Sequence, residues 1–502
     1  EALKLVEVLA GRAEVSEGYA AMERTSLFES FNAADTAQML AWQEKLEKKI
    51  RISRFLKAIE ERKEVEEAAV SFGSKGVTEE YLDILLEIAK TADFSTKMRI
   101  YYYLSRMTKG HVSEDLENAC FQYICKELYD AVVSDIDCED VYHIENDEVK
   151  VELPVRVNFG GGWSDTPPYC NEHGGTVLNA AISLNGTLPI VVEVKRIEKP
   201  VVVLASTDLG AEADFTDMKE LQNCNDPFDT FALHKAALIA CGIIPREGDY
   251  ELSQLLSKVG GGLYLSTAVK GIPKGSGLGT SSMLAAACVK GIFEFIGKNI
   301  SENELYSRVL CMEQIMSTGG GWQDQVGGLT PGVKLVHTVP GIKQNIQVDH
   351  IIVPEAAKKE LQERFALIYT GQRRLARNLL REIVGGYIGS KKNSLDVLYE
   401  IQKSAILMKF ELEKGNIDAF AKLLDEHWEL SKRLDGGCTN TCIEQIFLSV
   451  EDMLDAKMIC GAGGGGFLQV ILKKGYTKED LKERIHSVFQ ESGVAVWDCE
   501  LI

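Results

Sequence analysis

The sequence predicts an α+β protein of two lobes, preceded by an all-helical segment. Three observations carry that reading. Residues 1 to about 135 show helical periodicity and almost no strand pattern. From Val149 onward, strand-like alternation recurs between helical stretches without strict β–α–β order. Four glycine-rich stretches, each beside a strand or helix end, then mark where the lobes are expected to meet.

Taken in order, "TAQMLAWQEKLEKKIRISRFLKAIEERKEVEEAA" is helical in period, with Leu40, Leu46, Ile50, Phe55 and Ile59 near one face. "TEEYLDILLEIAK" and "SEDLENACFQYICKELYDAVV" read the same way, with Thr78 and Ser113 as N-caps. Charge runs in this segment read as solvated helix faces, and no residue there receives a chemical role. Strands follow at Val149, in "LPIVVEVKRI", in "PVVVLAS" and in "GGLYLSTAV". "TSSMLAAACVKGIFEFIG" is a buried helix ending at Gly297, and "SENELYSRVLCMEQIMS" a second, with Ser301 and Glu304 as a capping box. A later block begins with a strand in "RFALIYT", continues through the helix "RRLARNLLREIV" and ends on "MICGAGGGGFLQVILKK". The division expected is residues 1–145, 146–350 and 351–502.

Composition narrows the function. With 45% hydrophobic and 26% charged residues in 502, the chain reads as globular, and no apolar run approaches the roughly 20 residues of a membrane helix. A formal charge of -20 argues against nucleic acid as a partner, and it opposes any phosphate ligand. Backbone N–H groups, a helix N-terminus and a bound cation would have to supply the local positive potential. Twelve cysteines include no CxxC pair; Cys120/Cys125 and Cys438/Cys442 lack zinc-finger spacing and partner histidines. Reduced thiols in a cytoplasm are expected. The chain opens "EALKLVEVLA", with neither methionine nor signal-peptide pattern, and reads as a piece of something longer.

Chemistry concentrates in the glycine stretches. In "GIPKGSGLGTSSM", a strand enters a loop whose Gly275, Gly277 and Gly279 let backbone approach an anion, and Thr280 and Ser281 begin a helix. A hydroxyl there caps the helix or ligates Mg²⁺, and a purely structural strand-to-helix turn reads the same way. In "RVNFGGGWSDTPP", Arg156 and Asp165 flank three glycines as a charge pair, and Asp165 offers two acceptor oxygens to neighbouring sugar hydroxyls. A surface turn capped by Asp165 and Thr166 is the alternative. In "CMEQIMSTGGGWQDQVGG", Glu313 and Asp324 suit a metal ligand and a general base for phosphoryl transfer; a helix C-cap at Gly319 is the plainer reading. "CGAGGGG", between two apolar strands, implies close backbone packing or a flexible turn. Together the four point to phosphoryl transfer to a polar acceptor.

These stretches resemble the GHMP kinases, the superfamily of galactokinase and mevalonate kinase. "PKGSGLGTSS" looks like its central phosphate loop and "CGAGGGG" like its C-terminal glycine motif, in the right order over residues from about 150 to 502. Within it, "RVNFGGGWSDTPP", "GSGLGTSSM", "TGGGWQDQVGG" and "YTGQRRLARNLL" look most like the L-fucokinases. The resemblance implies an N-terminal lobe with the phosphate loop and a ferredoxin-like C-terminal lobe. It also implies ATP and Mg²⁺, and phosphorylation of the anomeric hydroxyl of L-fucose to feed GDP-fucose salvage. Bacterial homologues carry a guanylyltransferase half N-terminal to the kinase, which would explain the abrupt start.

By the same resemblance, Asp324 accepts the sugar proton and Arg156 keeps that aspartate ionised. Lys274, Gly275, Ser276, Gly277, Leu278, Gly279, Thr280, Ser281 and Ser282 hold the nucleotide, and Ser281 and Glu313 hold Mg²⁺. Asp165, Gly162, Trp163, Trp322, Gly463, Gly464 and Gly465 form the sugar side. Two departures matter. Gly162 and Trp163 stand where galactokinases have Glu-His, which argues against galactose. Thr280 replaces a common serine, leaving the Mg²⁺ ligand open between Ser281 and its neighbours. Trp163 or Trp322 would line an apolar patch for the fucose methyl, or both are core. Such a patch rejects an added hydroxyl only weakly, so some use of D-arabinose or L-galactose is expected. The rivals are a heptose phosphate kinase, with Arg373, Arg374 and Arg377 holding the substrate phosphate, and a non-catalytic sugar sensor. A homo-oligomer stays open.

Overall fold

The computed structural model describes residues 35–133, 143–224, 226, 228–316, 320–372, 377–490 and 492–502, with 133 and 377–380 described by backbone alone. They form two compact units, the described residues of 35–121 with 388–392, and those of 122–387 with 393–502.

The first unit is helical. Helices α1 (Thr36–Glu60), α2 (Val65–Ala69), α3 (Glu79–Thr91) and α4 (Phe94–Met107) lead to α5 (His111–Val133). Asp35 caps α1 by accepting from the Gln38 N–H at 3.0 Å. The core gathers where Phe55 meets Phe72, with ring centroids 5.2 Å apart, and Tyr103 at 6.3 Å. Of the face expected on α1, Phe55 and Ile59 are buried but Leu40 and Ile50 are exposed. At 25 residues α1 is about 37 Å long, whereas α3 and α4 at 13 and 14 residues reach about 20 Å. The expected caps also change. Thr78 holds the N-cap position without a side-chain bond. Ser113 lies inside α5 and donates instead to the Ser105 carbonyl at 2.7 Å.

The second unit contains β1 (Glu148–Leu153), β2 (Val155–Gly160), α6 (Tyr169–His173), β3 (Thr176–Leu184), β4 (Ile190–Ile197), β5 (Val202–Ser206) and β6 (Ala211–Phe215). Then come α7 (Met218–Gln222), α8 (Ala232–Ala240), α9 (Leu252–Val259), β7 (Gly262–Val269), α10 (Thr280–Phe295), α11 (Glu302–Ile315) and α12 (Gln323–Leu329). They are followed by β8 (Val333–His337), β9 (Gln347–His350), α13 (Glu355–Arg364), β10 (Phe365–Thr370), α14 (Arg377–Ile388), α15 (Ser394–Glu413) and α16 (Ile417–Leu434). The chain closes with α17 (Thr441–Val450), β11 (Leu454–Ile459), β12 (Phe467–Leu472), α18 (Lys478–Phe489), β13 (Val494–Trp497) and β14 (Cys499–Leu501).

One sheet runs β1-β4-β7-β5-β6, with β5 and β7 its parallel pair. Apolar α10, with Ala285, Ala286 and Ala287 all buried, lies on it as expected of a buried helix. A second sheet runs β14-β3-β8-β9, with β2 also pairing β3, so β14, formed by Cys499–Leu501, joins a sheet begun near residue 155. The third runs β11-β12-β10-β13, all neighbours antiparallel. Numbered within that lobe, its strand order is second, third, first, fourth, which is the ferredoxin-like order. Ser301 caps α11 through the Glu304 N–H at 3.3 Å, but the expected capping box is half made, because the Glu304 carboxylate takes Arg308 instead.

No described helix is long and apolar enough to cross a membrane. The eleven described cysteines are all free thiols.

Candidate active site

Strand β7 delivers the chain into the loop before α10, and the loop is fixed from the far lobe. The Ser276 carbonyl accepts from the Phe467 N–H at 2.8 Å, and Gly277 is pressed against the Cys460 carbonyl. Gly277 has φ +77°, and a Cβ there would stand 1.9 Å from that oxygen, so only glycine fits. At Gly279 a Cβ would stand 3.0 Å from the Asp324 carboxyl carbon, which puts that carboxylate against the loop. The 16-residue helix α10 starts there, so its free N–H groups face the same space.

Asp324 lies in the first turn of α12. Arg156, on β2 and 3% exposed, donates to Asp324 Oδ1 from Nε at 2.9 Å and from Nη2 at 2.5 Å, and from Nη1 to the Gly277 carbonyl at 3.0 Å. The guanidinium therefore ties base candidate and loop together. Arg156 pairs with Asp324, as the family resemblance implied, and not with Asp165, as their place around one glycine turn suggested.

Asp165 is wholly buried, which removes the surface-turn reading. Its carboxylate accepts from the Gln323 backbone N–H at 3.1 Å and from Gln323 Nε2 at 3.0 Å. Burial pushes its carboxyl up to about 7, with the Asp324 charge adding and the Gln323 N–H and Arg156 opposing. Trp163, beside it, is a bulky residue held at φ 78°, a conformation that costs roughly 1–3 kcal/mol and collects at functional sites.

These groups line one cleft of about 360 Å³. Arg156, Gly162, Trp163, Asp165, Gly277, Gly279, Ser281, Ser282, Glu313 and Asp324 all face it. Others expected there do not. Trp322 is fully buried in the core. Leu278 is also core and contributes its carbonyl to the Arg156 N–H. Lys274 is exposed, off the cleft. Ser276 turns inward, accepting from the Leu278 N–H at 3.3 Å. Gly275 and Thr280 flank the cleft without lining it. Gly463, Gly464 and Gly465 do not line it either. Gly463 packs on the Cys438 carbonyl and the Gly464 N–H donates to it at 2.8 Å, so Gly461 and Ala462 face the cleft instead. Arg373 and Arg374 lie outside the described residues, as does Gly319, and so does the Arg377 side chain.

For Mg²⁺, the hydroxyl that meets Glu313 is that of Ser282, donating to Oε1 at 2.7 Å, while Ser281 also faces the cleft. Among the described residues no three His, Cys, Asp or Glu side chains could hold a metal together. Mg²⁺ rests on one or two carboxylates and takes the rest of its shell from phosphate and water, and Glu313 beside the Ser282 hydroxyl offers one such carboxylate.

Sequence reasoning missed the far wall: His427, Ser431 and Met458. Buried His427 is pushed down to about 4, so it is neutral, and its Nε2 accepts the Gly161 N–H at 3.0 Å. The proton then sits on Nδ1, 3.3 Å from Ser431 Oγ. Nothing in the amphipathic pattern of α16 separates His427 from an ordinary core position. Asn158 and Gln323 were also missed, although both sit inside stretches already singled out.

Residues 250–330 match the GHMP kinases N terminal domain. That stretch is a GHMP kinase N-terminal domain, and it holds the phosphate loop, Glu313 and Asp324. The chain is 36% identical over 339 residues to the bifunctional fucokinase/GDP-fucose pyrophosphorylase of Arabidopsis thaliana, covering 67% of this chain and 31% of that protein. It is 37% identical over 327 residues to the L-fucokinase/L-fucose-1-P guanylyltransferase of Bacteroides fragilis, covering 64% and 34%. The chain thus spans about a third of the length of these two relatives. The D-glycero-alpha-D-manno-heptose 7-phosphate kinase of Campylobacter jejuni is 26% identical over 322 residues, covering 64% of this chain and 88% of that one. The galactokinase of Lactococcus lactis, solved with galactose, superposes with a TM-score of 0.54 at 14% identity, over 71% and 94% of the two chains. The last likeness concerns the GHMP kinase fold alone.

Proposed function

We propose that this chain transfers phosphate from ATP to the anomeric hydroxyl of L-fucose, giving L-fucose 1-phosphate for GDP-fucose synthesis. One observation carries the reading: a single buried guanidinium bridges the Asp324 carboxylate and the Gly277 carbonyl of the phosphate loop. That sets a proton acceptor beside a phosphate cradle. Asp324 takes the hydroxyl proton as the sugar oxygen bonds to the transferred phosphorus and the bond to ADP breaks. An anomeric hydroxyl is more acidic than an ordinary alcohol, so a carboxylate suffices. Most of the acceleration comes from alignment and charge neutralisation. The loop, the α10 N-terminus and Arg156 would hold the nucleotide phosphates. Glu313 and Ser282 would hold Mg²⁺, which supplies neutralising charge on the phosphates.

The fucose assignment draws on the two relatives named as fucokinases, each at least 36% identical. Their names and greater length support a fused guanylyltransferase half in the complete protein. A cytoplasmic nucleotide-sugar pathway and a division of the present chain at about 145 and 350 belong to the same proposal. The heptose reading draws on the Campylobacter relative. Phosphorus NMR with Mg²⁺, ATP and each of L-fucose, D-galactose and a heptose 7-phosphate separates them. A new anomeric phosphate from fucose, lost in Asp324→Asn, is expected. A product from the heptose phosphate alone would overturn the fucose assignment, and full activity in the variant would remove Asp324 as the base.

A further inference from the structure

Gln323 precedes the proposed base by one residue, and its amide orientation is set by its neighbour. With Nε2 donating to Asp165 Oδ1 at 3.0 Å, the carbonyl Oε1 must turn the other way. That oxygen is buried and accepts no hydrogen bond, in a residue that lines the cleft. Asn158 Oδ1, on β2 and in a residue 5% exposed, is likewise buried and unpartnered on the same cleft. Leaving a buried acceptor empty costs about 1–3 kcal/mol. Native proteins keep few, so two on residues that line one cleft call for a ligand that fills them. With the Asp165 carboxylate, residues lining the cleft carry three groups that can accept. Such a set takes O–H donors on neighbouring carbons, and it repels an anionic group that can only accept.

We infer that Gln323 is a specificity residue whose Oε1 accepts a hydrogen bond from a non-reacting ring hydroxyl of a neutral sugar, beside the Asp165 carboxylate that orients it. The inference rests on the sugar-kinase reading and narrows it. Acceptors read the ring hydroxyls, so a sugar lacking the matched hydroxyl leaves the amide oxygen empty and loses rate, while one carrying a phosphate meets the wrong partner.

The test compares the unsubstituted chain with Gln323→Met, of similar length and without the acceptor. Gln323→Asn, which draws the carbonyl back by one carbon, is the second variant. Each is assayed with L-fucose and its 2-, 3- and 4-deoxy analogues, at varied ATP, with thermal melting as the check on folding. In both variants kcat/KM for L-fucose should fall about ten-fold with KM for ATP unchanged. One deoxy analogue should lose about ten-fold with the parent and almost nothing further with either variant, the coupling expected of a direct contact. Equal losses on all three analogues in parent and variants would overturn the inference and leave Gln323 as a support for Asp165. No turnover of any neutral sugar by the parent would instead sink the kinase reading, and the inference with it.

Discussion

Replacing Asp165 with asparagine isolates one buried titration. The carboxyl sits at about 7 in the folded chain against an ordinary value of 3.8, chiefly because burial disfavours its charge. Below about pH 4 it is protonated in both states and contributes nothing. Between 3.8 and about 7 the folded state keeps the proton that the unfolded state has lost, so stability falls as pH rises. Above about 7 the whole cost is present: about three pH units at 1.36 kcal/mol each, on the order of 4 kcal/mol. Other groups tilt the profile the opposite way. His234 and His427, both pushed down to about 4 by burial, add stability as pH rises from about 4 to 6.5. Lys334, buried against three carbonyls and lowered to about 7, does so above that.

All three are present in parent and variant, so the difference between the two profiles isolates Asp165. Urea unfolding followed by circular dichroism, at about pH 5 and about pH 8, should show Asp165→Asn gaining about 2–3 kcal/mol on the parent between those points. A pH-independent difference, or one that shrinks toward pH 8, would refute the claim that desolvation governs this carboxyl. If the sugar needs the ionised acceptor, the parent's kcat/KM for fucose also rises with pH up to about 7 and then levels.

Arg156→Met should lower kcat about 100- to 1,000-fold, as for loss of a charge-stabilising donor. Stability should drop by only about 2 kcal/mol, because Asp324 is 24% exposed and keeps some solvent; steady-state kinetics and denaturant titration read the two effects. Glu313→Gln and Ser282→Ala should each raise the Mg²⁺ concentration for half-maximal rate roughly ten-fold, with Ser281→Ala moving it less, since the Ser282 hydroxyl is the one bonded to Glu313. A larger effect at Ser281 in a Mg²⁺ titration would reverse that assignment.

The sequence by itself determined the local and the periodic. The alternation from Val149, the apolar run of α10 and the four glycine stretches all follow from spacing, and each became the element or loop expected. The glycine stretches said where backbone must come close, while the joining of Arg156, Gly277, Glu313 and Asp324 at one cleft was implied only by the family resemblance. Tertiary structure alone decided which of two like residues meets the site's other groups. Ser282 rather than Ser281 meets Glu313, Gly461 rather than Gly463 faces the cleft, and Trp163 lines it while Trp322 fills the core. It also supplied His427 and Ser431 from a helix more than 250 residues beyond the Gly161 loop. A local sequence fixes which residue types lie in a turn. Which of them points inward depends on the element packed across from it, and that element is set by long-range burial that no short window contains.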